Sequence, residues 1–190
     1  LIGVPQHTLY HQEGDVWTHT MLVLDEAAKR RNEAEQPLYF MLSALLHDFG
    51  KITSTQFVKG NYHAYSHEQE GLPLVKNFLQ KITKENALYS YAMNMTMLHM
   101  KPNTLAADNS SVKATNKMFD SAKSPNDLIL LSMCDGEGKI PKKWCRETES
   151  FLRERLKIYL EYMARPYVTG QDLIEIGIKP GENFSELLSY

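Results

Sequence analysis

Cysteine is scarce in this chain of 190 residues: there are two, Cys134 and Cys145. Their spacing fits neither a metal knuckle nor a disulfide framework, so a reducing, cytoplasmic setting is expected and both read as small buried hydrophobes. Long apolar runs are missing as well. The longest candidates, Leu38 to Leu46 and Leu128 to Cys134, are short and interrupted, which predicts no membrane span. Charge of one sign is not in excess. Lys and Arg number 21 against 23 Asp and Glu, for a formal net charge of −2. That argues against a broad electrostatic footprint for duplex nucleic acid and leaves a small phosphorylated substrate or a single nucleic-acid end. Leu1-Ile2-Gly3-Val4-Pro5 lacks a basic leader and a small-residue cleavage site, so no secretory signal is expected there. Without an initiator Met, a fragment or processed form is the expectation.

What remains is ordinary globular material, 43% hydrophobic and 23% charged, enough for one core with a small addition. Helix signals dominate. Asp15 is placed to cap an amphipathic run from Val16 to Arg31. Pro37 opens a run to Asp48 that is apolar almost all round, as expected of a central helix, and Gly50 is expected to break it. Residues 50–65 read as a loop or short hairpin with its turn at Gly60-Asn61. Helices are expected again near 66–81, 84–100, 111–122, 125–135 and 144–164. A short helix opens at Thr169-Gly170-Gln171-Asp172-Leu173 and stops at Gly177, and a last turn follows from Phe184 to Leu188. The class is all-α, with a main domain over 1–165 and a helical appendage over 166–190 packed on it.

The chemistry gathers on histidines and acids. His47-Asp48 ends the apolar run just before Phe49-Gly50-Lys51, where a buried imidazole and an unpaired carboxylate would be costly unless a divalent cation satisfied both. His19 falls on the apolar face of the first helix, and Asp135 ends the run from Leu128 to Cys134. Two imidazoles and two carboxylates suit Mn, Fe, Ni, Co, Zn or Mg. His67 and His99 stand beside these as ligands of a second ion or of a transferred phosphate.

The order His19, His47-Asp48, His67, His99, Asp135 resembles the HD superfamily of metal-dependent phosphohydrolases, in its form with two extra histidines. The segments His11-Gln12-Glu13-Gly14-Asp15-Val16-Trp17-Thr18-His19-Thr20 and Ala44-Leu45-Leu46-His47-Asp48-Phe49-Gly50-Lys51 are similar to the HD domain of bacterial tRNA nucleotidyltransferases, the CCA-adding enzymes. So are Ser66-His67-Glu68 and the tail from Thr169 to Pro180-Gly181. The likeness spans almost the whole chain. It departs at Gln12, where the family usually has Pro, and at Met133-Cys134, where small residues are usual. The glycine-rich strand and paired aspartates of the polymerase head have no counterpart here, so CCA addition is not expected of this stretch alone.

The resemblance implies an HD-domain helical bundle that hydrolyses phosphoesters of nucleotides or RNA ends: 2′,3′-cyclic phosphates, 2′-nucleotides or phosphomonoesters. It places His19, His47, Asp48 and Asp135 on a first divalent metal, with His67 and His99 on a second ion or the phosphate. Asp48, Lys51, His67 and His99 are the catalytic candidates. Asp48 would take a proton from the attacking water, while Lys51 reads either as a phosphate clamp or as an ordinary solvated lysine. The implied partners are a nucleotide or RNA 3′-end phosphate and a separate nucleotidyltransferase or polynucleotide kinase. The alternative is an HD-fold RNA-binding or partner-docking module with little catalysis. His7, His11 and His63 read as loop histidines, and Tyr62 and Tyr65 either stack on a nucleobase or pack on their own scaffold.

Overall fold

The first helix is set by one carboxylate. Asp15 Oδ1 accepts from Thr18 N at 2.8 Å while its Oδ2 accepts from Gly3 N at 2.7 Å, so the side chain caps α1 (Val16–Arg30) and fastens the segment before it. The computed structural model describes residues 1–142, 146–164, 168–181 and 188. It divides into two compact units, Leu1–Leu156 and Lys157–Tyr190. The turn expected from Phe184 onward, and Cys145, lie outside the described residues.

In the first unit α1 is followed by α2 (Pro37–Leu46), α3 (Lys51–Ser54), a ribbon of β1 (Thr55–Val58) and β2 (Asn61–Ala64), then α4 (His67–Leu79), α5 (Asn86–Leu98), α6 (Lys101–Ala107), α7 (Val112–Ser121) and α8 (Pro125–Glu137). The helix α9 (Arg146–Met163) begins in it. The class is all-α, as expected. The ribbon is antiparallel with Val58 paired to Asn61, and its two-residue turn is Lys59-Gly60, both at positive φ. The turn therefore sits one residue before the expected Gly60-Asn61. In the second unit Thr169 caps α10 (Gly170–Glu175) through a reciprocal pair with Asp172, and Gly177 follows at φ 89°.

The central helix is α8, not α2. Every residue of α8 from Asp127 to Gly136 is buried, whereas Leu38 of α2 is 65% exposed and its buried residues are Phe40, Ser43, Ala44 and Leu46. An all-apolar composition gives no direction to a helix; the neighbours decide which side is covered. The buried side chains of α1, namely Val16, His19, Thr20, Val23 and Ala27, follow helical spacing. Cys134 belongs to this core, and burial pushes its thiol up to about 12, so it is a packing residue and not a thiolate. A further helix, α6, was not expected. Pro102 reads in sequence as the end of the preceding helix, but it stands in the first turn of α6, where its missing N–H costs nothing.

Among the polar groups enclosed in this core is one carboxylate that ties several elements together. Asp127 is fully buried; its Oδ1 accepts from Glu35 N at 2.8 Å and Asn126 Nδ2 at 3.0 Å, and its Oδ2 from Gln36 N at 3.2 Å and the Tyr91 hydroxyl at 2.6 Å. The carboxylate thereby fixes the entry to α2 and links it to α5 and α8.

Candidate metal centre and its cleft

The His47-Asp48 pair leaves α2 through a tight turn. Phe49 N bonds Leu46 O at 3.1 Å and Lys51 N bonds Asp48 O at 3.0 Å, so the chain stays right-handed through the break. Gly50 is in helical conformation, and its role differs from the expected unwinding. A Cβ there would lie 1.8 Å from His67 O and 2.6 Å from Gly71 N. The missing side chain lets the turn press against the start of α4 and brings Asp48 next to His67.

Three imidazoles are held alike. His47 Nδ1 pairs with Ala44 O at 2.8 Å, His67 Nδ1 with Ala64 O at 2.9 Å and His99 Nδ1 with Thr96 O at 2.7 Å. A carbonyl accepts only, so each Nδ1 carries a proton and each Nε2 faces the cleft. His67 Nε2 and His99 Nε2 stand 3.2 Å apart. Two acceptors at that distance repel unless a proton or a cation lies between them.

Asp48 stands at the centre, with its side chain 3% exposed. Its Oδ1 is 3.3 Å from His67 Nε2 and 3.8 Å from His99 Nε2, and its Oδ2 is 3.2 Å from His47 Nε2 and 3.7 Å from His19 Nε2. One oxygen thus faces each side. His19 Nε2 also meets Asp135 Oδ1 at 3.0 Å. Ligand atoms of His19, His47 and Asp135 lie within 4.8 Å of one another, and so do those of Asp48, His67 and His99. Among the described residues His47 Nε2 is buried without a hydrogen-bond partner, and Asp48 Oδ2 is held by its ion pair with Lys51 and not by a hydrogen bond. Burial opposes ionisation of Asp48, but Lys51 and His47 outweigh it and hold the carboxyl well below the usual range. Asp135 is held down in the same way, against its burial, by Lys139 and His19. Burial and the neighbouring His47 drive His99 down to about 3, leaving its imidazole neutral at pH 7.

Two ammonium groups border the carboxylates. Lys51 Nζ is 2.7 Å from Asp48 Oδ2 and donates to Gln6 Oε1 at 2.8 Å, so it is a covered member of the cleft and not a solvated lysine. Lys139 Nζ donates to Asp135 Oδ2 at 3.0 Å. These groups share a cavity of about 320 Å³ with His7, Tyr10, His11, Tyr62 and His63.

All six residues expected to ligate are therefore brought together, with Lys51 beside them. Comparison with curated proteins gives relatives named multifunctional CCA protein, three of which follow. That of Actinobacillus pleuropneumoniae serotype 7 (strain AP76) is 27% identical over 146 residues, 74% of this chain and 34% of its own length. That of Vibrio vulnificus (strain CMCP6) is 28% identical over 189 residues, covering 94% and 42%. That of Alkalilimnicola ehrlichii is 26% identical over 177 residues, covering 88% and 40%. The chain is similar to multifunctional CCA proteins over part of their length. This is the relationship that the motifs around His11 and His47 imply, and the chain spans about a third to two-fifths of the length of these relatives. No family model matches it, and no solved structure does. No helix among the described residues is long and apolar enough to cross a membrane.

Sequence reasoning missed two members of this site. Lys139 lies one helical turn beyond Asp135, an i,i+4 spacing that a search for pairs would have found. Glu13 lies inside the quoted motif but drew no role. Its side chain is fully covered, and its Oε1 is 2.7 Å from His11 Nδ1 and 3.0 Å from His19 Nδ1, the latter at an angle poor for a hydrogen bond. Glu13 Oε2 accepts from Ile140 N at 2.8 Å. Burial raises its pKa, but the contacts with His11, His19 and Ile140 prevail and keep it ionised. An ionised carboxylate behind Nδ1 orients Nε2 of His19 toward Asp48 and Asp135. Glu13→Ala is therefore expected to weaken divalent-metal affinity about 10- to 100-fold, measured by competition with a chelator. Unchanged affinity would show that this carboxylate has no hold on the ring.

Proposed function

We propose that the cleft is the active site of a metal-dependent phosphohydrolase of the HD type, acting on phosphoesters of nucleotides or RNA ends. The observation that carries this reading is the convergence of His47, His67 and His99 Nε2 on the buried Asp48 carboxylate, with His47 Nε2 buried and without a hydrogen-bond partner. Buried orphan acceptors of this kind fit a cation. His19, His47, Asp48 and Asp135 would hold a first ion and Asp48, His67 and His99 a second. The mixed imidazole and carboxylate set accepts Mn, Fe, Ni, Co, Zn or Mg. A bound divalent ion supplies Lewis acidity toward the phosphoryl group and lowers the pKa of water in the site. The protein's own part is charge and position. Lys51 and Lys139 hold phosphoryl oxygens by electrostatic attraction, and His67 with His99 forms the far wall that orients the ester. Asp48, ionised with its single charge shared by both oxygens, would take the proton released from the attacking water.

The test gives metal-loaded protein 2′,3′-cyclic AMP, 2′-AMP, 3′-AMP and glycerol 2-phosphate. Turnover of at least one, dependent on added metal, is the expected result. A preference for the cyclic ester assigns RNA-end processing. A folded, metal-loaded protein that turns over none of them would overturn the hydrolase reading in favour of a binding module.

A further inference from the structure

We infer that His7, Tyr10 and His63 form a base-binding wall, so that the cleft takes one terminal nucleotide with its phosphate at the lysines and its nucleobase on these rings. The inference rests on the phosphoester reading of the same cleft and adds the part of the substrate that the metal ligands do not touch.

The rings come from two separate segments. His7 and Tyr10 precede α1, with centroids 4.7 Å apart, and His63 is on β2 with its ring 5.2 Å from that of His7. The segments are laced together: Thr8 N donates to Asn61 Oδ1 at 3.2 Å and Asn61 Nδ2 to Thr8 Oγ1 at 3.3 Å. Tyr65 stacks on His63 at an interplanar angle of 2°. His7, Tyr10 and His63 line the cavity that also contains Asp48, Lys51 and Lys139. Its volume, about 320 Å³, lies at the small end of ligand sites, which suits a single nucleotide and not a duplex. Ammonium groups and flat rings line the same cavity: the first match a phosphate and the second a heterocycle, which stacks on aromatic and imidazole faces whatever its sequence identity.

The experiment measures binding by calorimetry and turnover in parallel. Wild-type protein is expected to bind 2′-AMP more tightly than inorganic phosphate, and to process 2′,3′-cyclic AMP with a higher kcat/KM than glycerol 2-phosphate. Tyr10→Ala and His7→Ala should each cut both preferences on the order of 5- to 100-fold, mainly through KM, and Tyr10→Phe should restore most of the loss. Tyr10 is 43% exposed, so its truncation leaves the core intact. Turnover of glycerol phosphate without any preference for the nucleotide, or preferences unmoved in both alanine variants, would overturn the base wall and leave the hydrolase reading standing. Preferential binding of 2′-AMP that both variants abolish, with no turnover of any ester, would sustain the wall and sink the hydrolase reading.

Discussion

Asp48→Ala is expected to lose hydrolysis of every ester by more than about 100-fold, because removing a residue that only orients a ligand already costs about 10- to 100-fold. The expectation follows from position. Asp48 alone puts one oxygen toward His19 and His47 and the other toward His67 and His99. Its loss therefore weakens both groups of ligands at once, whereas His67→Ala removes a donor from one. Metal content, measured by mass spectrometry on dialysed protein, should fall further in Asp48→Ala than in His67→Ala. The variant should keep its helical circular dichroism, since the side chain sits at a turn and packs into no apolar cluster. Asp48→Ala that retained wild-type metal content and turnover would remove the foundation of the catalytic proposal.

Asp127→Ala is expected to be the most damaging substitution for stability, at about 2–4 kcal/mol. It strands the backbone N–H groups of Glu35 and Gln36 together with the Tyr91 hydroxyl, all of which donate to this one carboxylate. Each stranded donor costs about 1–3 kcal/mol when water cannot reach it. Burial and the adjoining Asp127 push the Tyr91 phenol far above its ordinary pKa, so it stays a donor at every working pH. For a chain of this size the melting temperature should drop by roughly 5–15 °C. Tyr91→Phe, which loses one donor and strands none, should cost about 1 kcal/mol. A denaturant midpoint for Asp127→Ala within error of wild type would show that water replaces the carboxylate without penalty.

These two aspartates show what a sequence discloses and what it withholds. Asp48 was legible because it adjoins His47 at the end of an apolar run, where an uncompensated charge has no place. Asp15 was legible because capping is local. Asp127 was not, since its donors lie 91 and 92 positions earlier and 36 positions earlier, and no short-range pattern marks them. The same holds for the centrality of α8. Leu38 and Leu130 are the same residue type, yet one is exposed and the other fully covered, and that difference is made by tertiary neighbours. Gly50 was legible as a special position but for the wrong reason: its backbone is ordinary, and what it lacks is the atom that would collide with His67 O. Glu13 and Lys139 were within reach, because each follows from asking which charged group stands behind a ligand already identified.

The three imidazoles clasped at Nδ1 by Ala44, Ala64 and Thr96 carry a thermodynamic consequence. Each acceptor carbonyl lies three positions upstream of its ring, in α2 and α5 for His47 and His99 and at the end of β2 for His67, so ring direction is set by local backbone in advance of any ligand. An ion entering such a cage has few rotamers left to freeze. Most of its intrinsic affinity would then appear as resistance to unfolding, and the melting point would track metal concentration steeply.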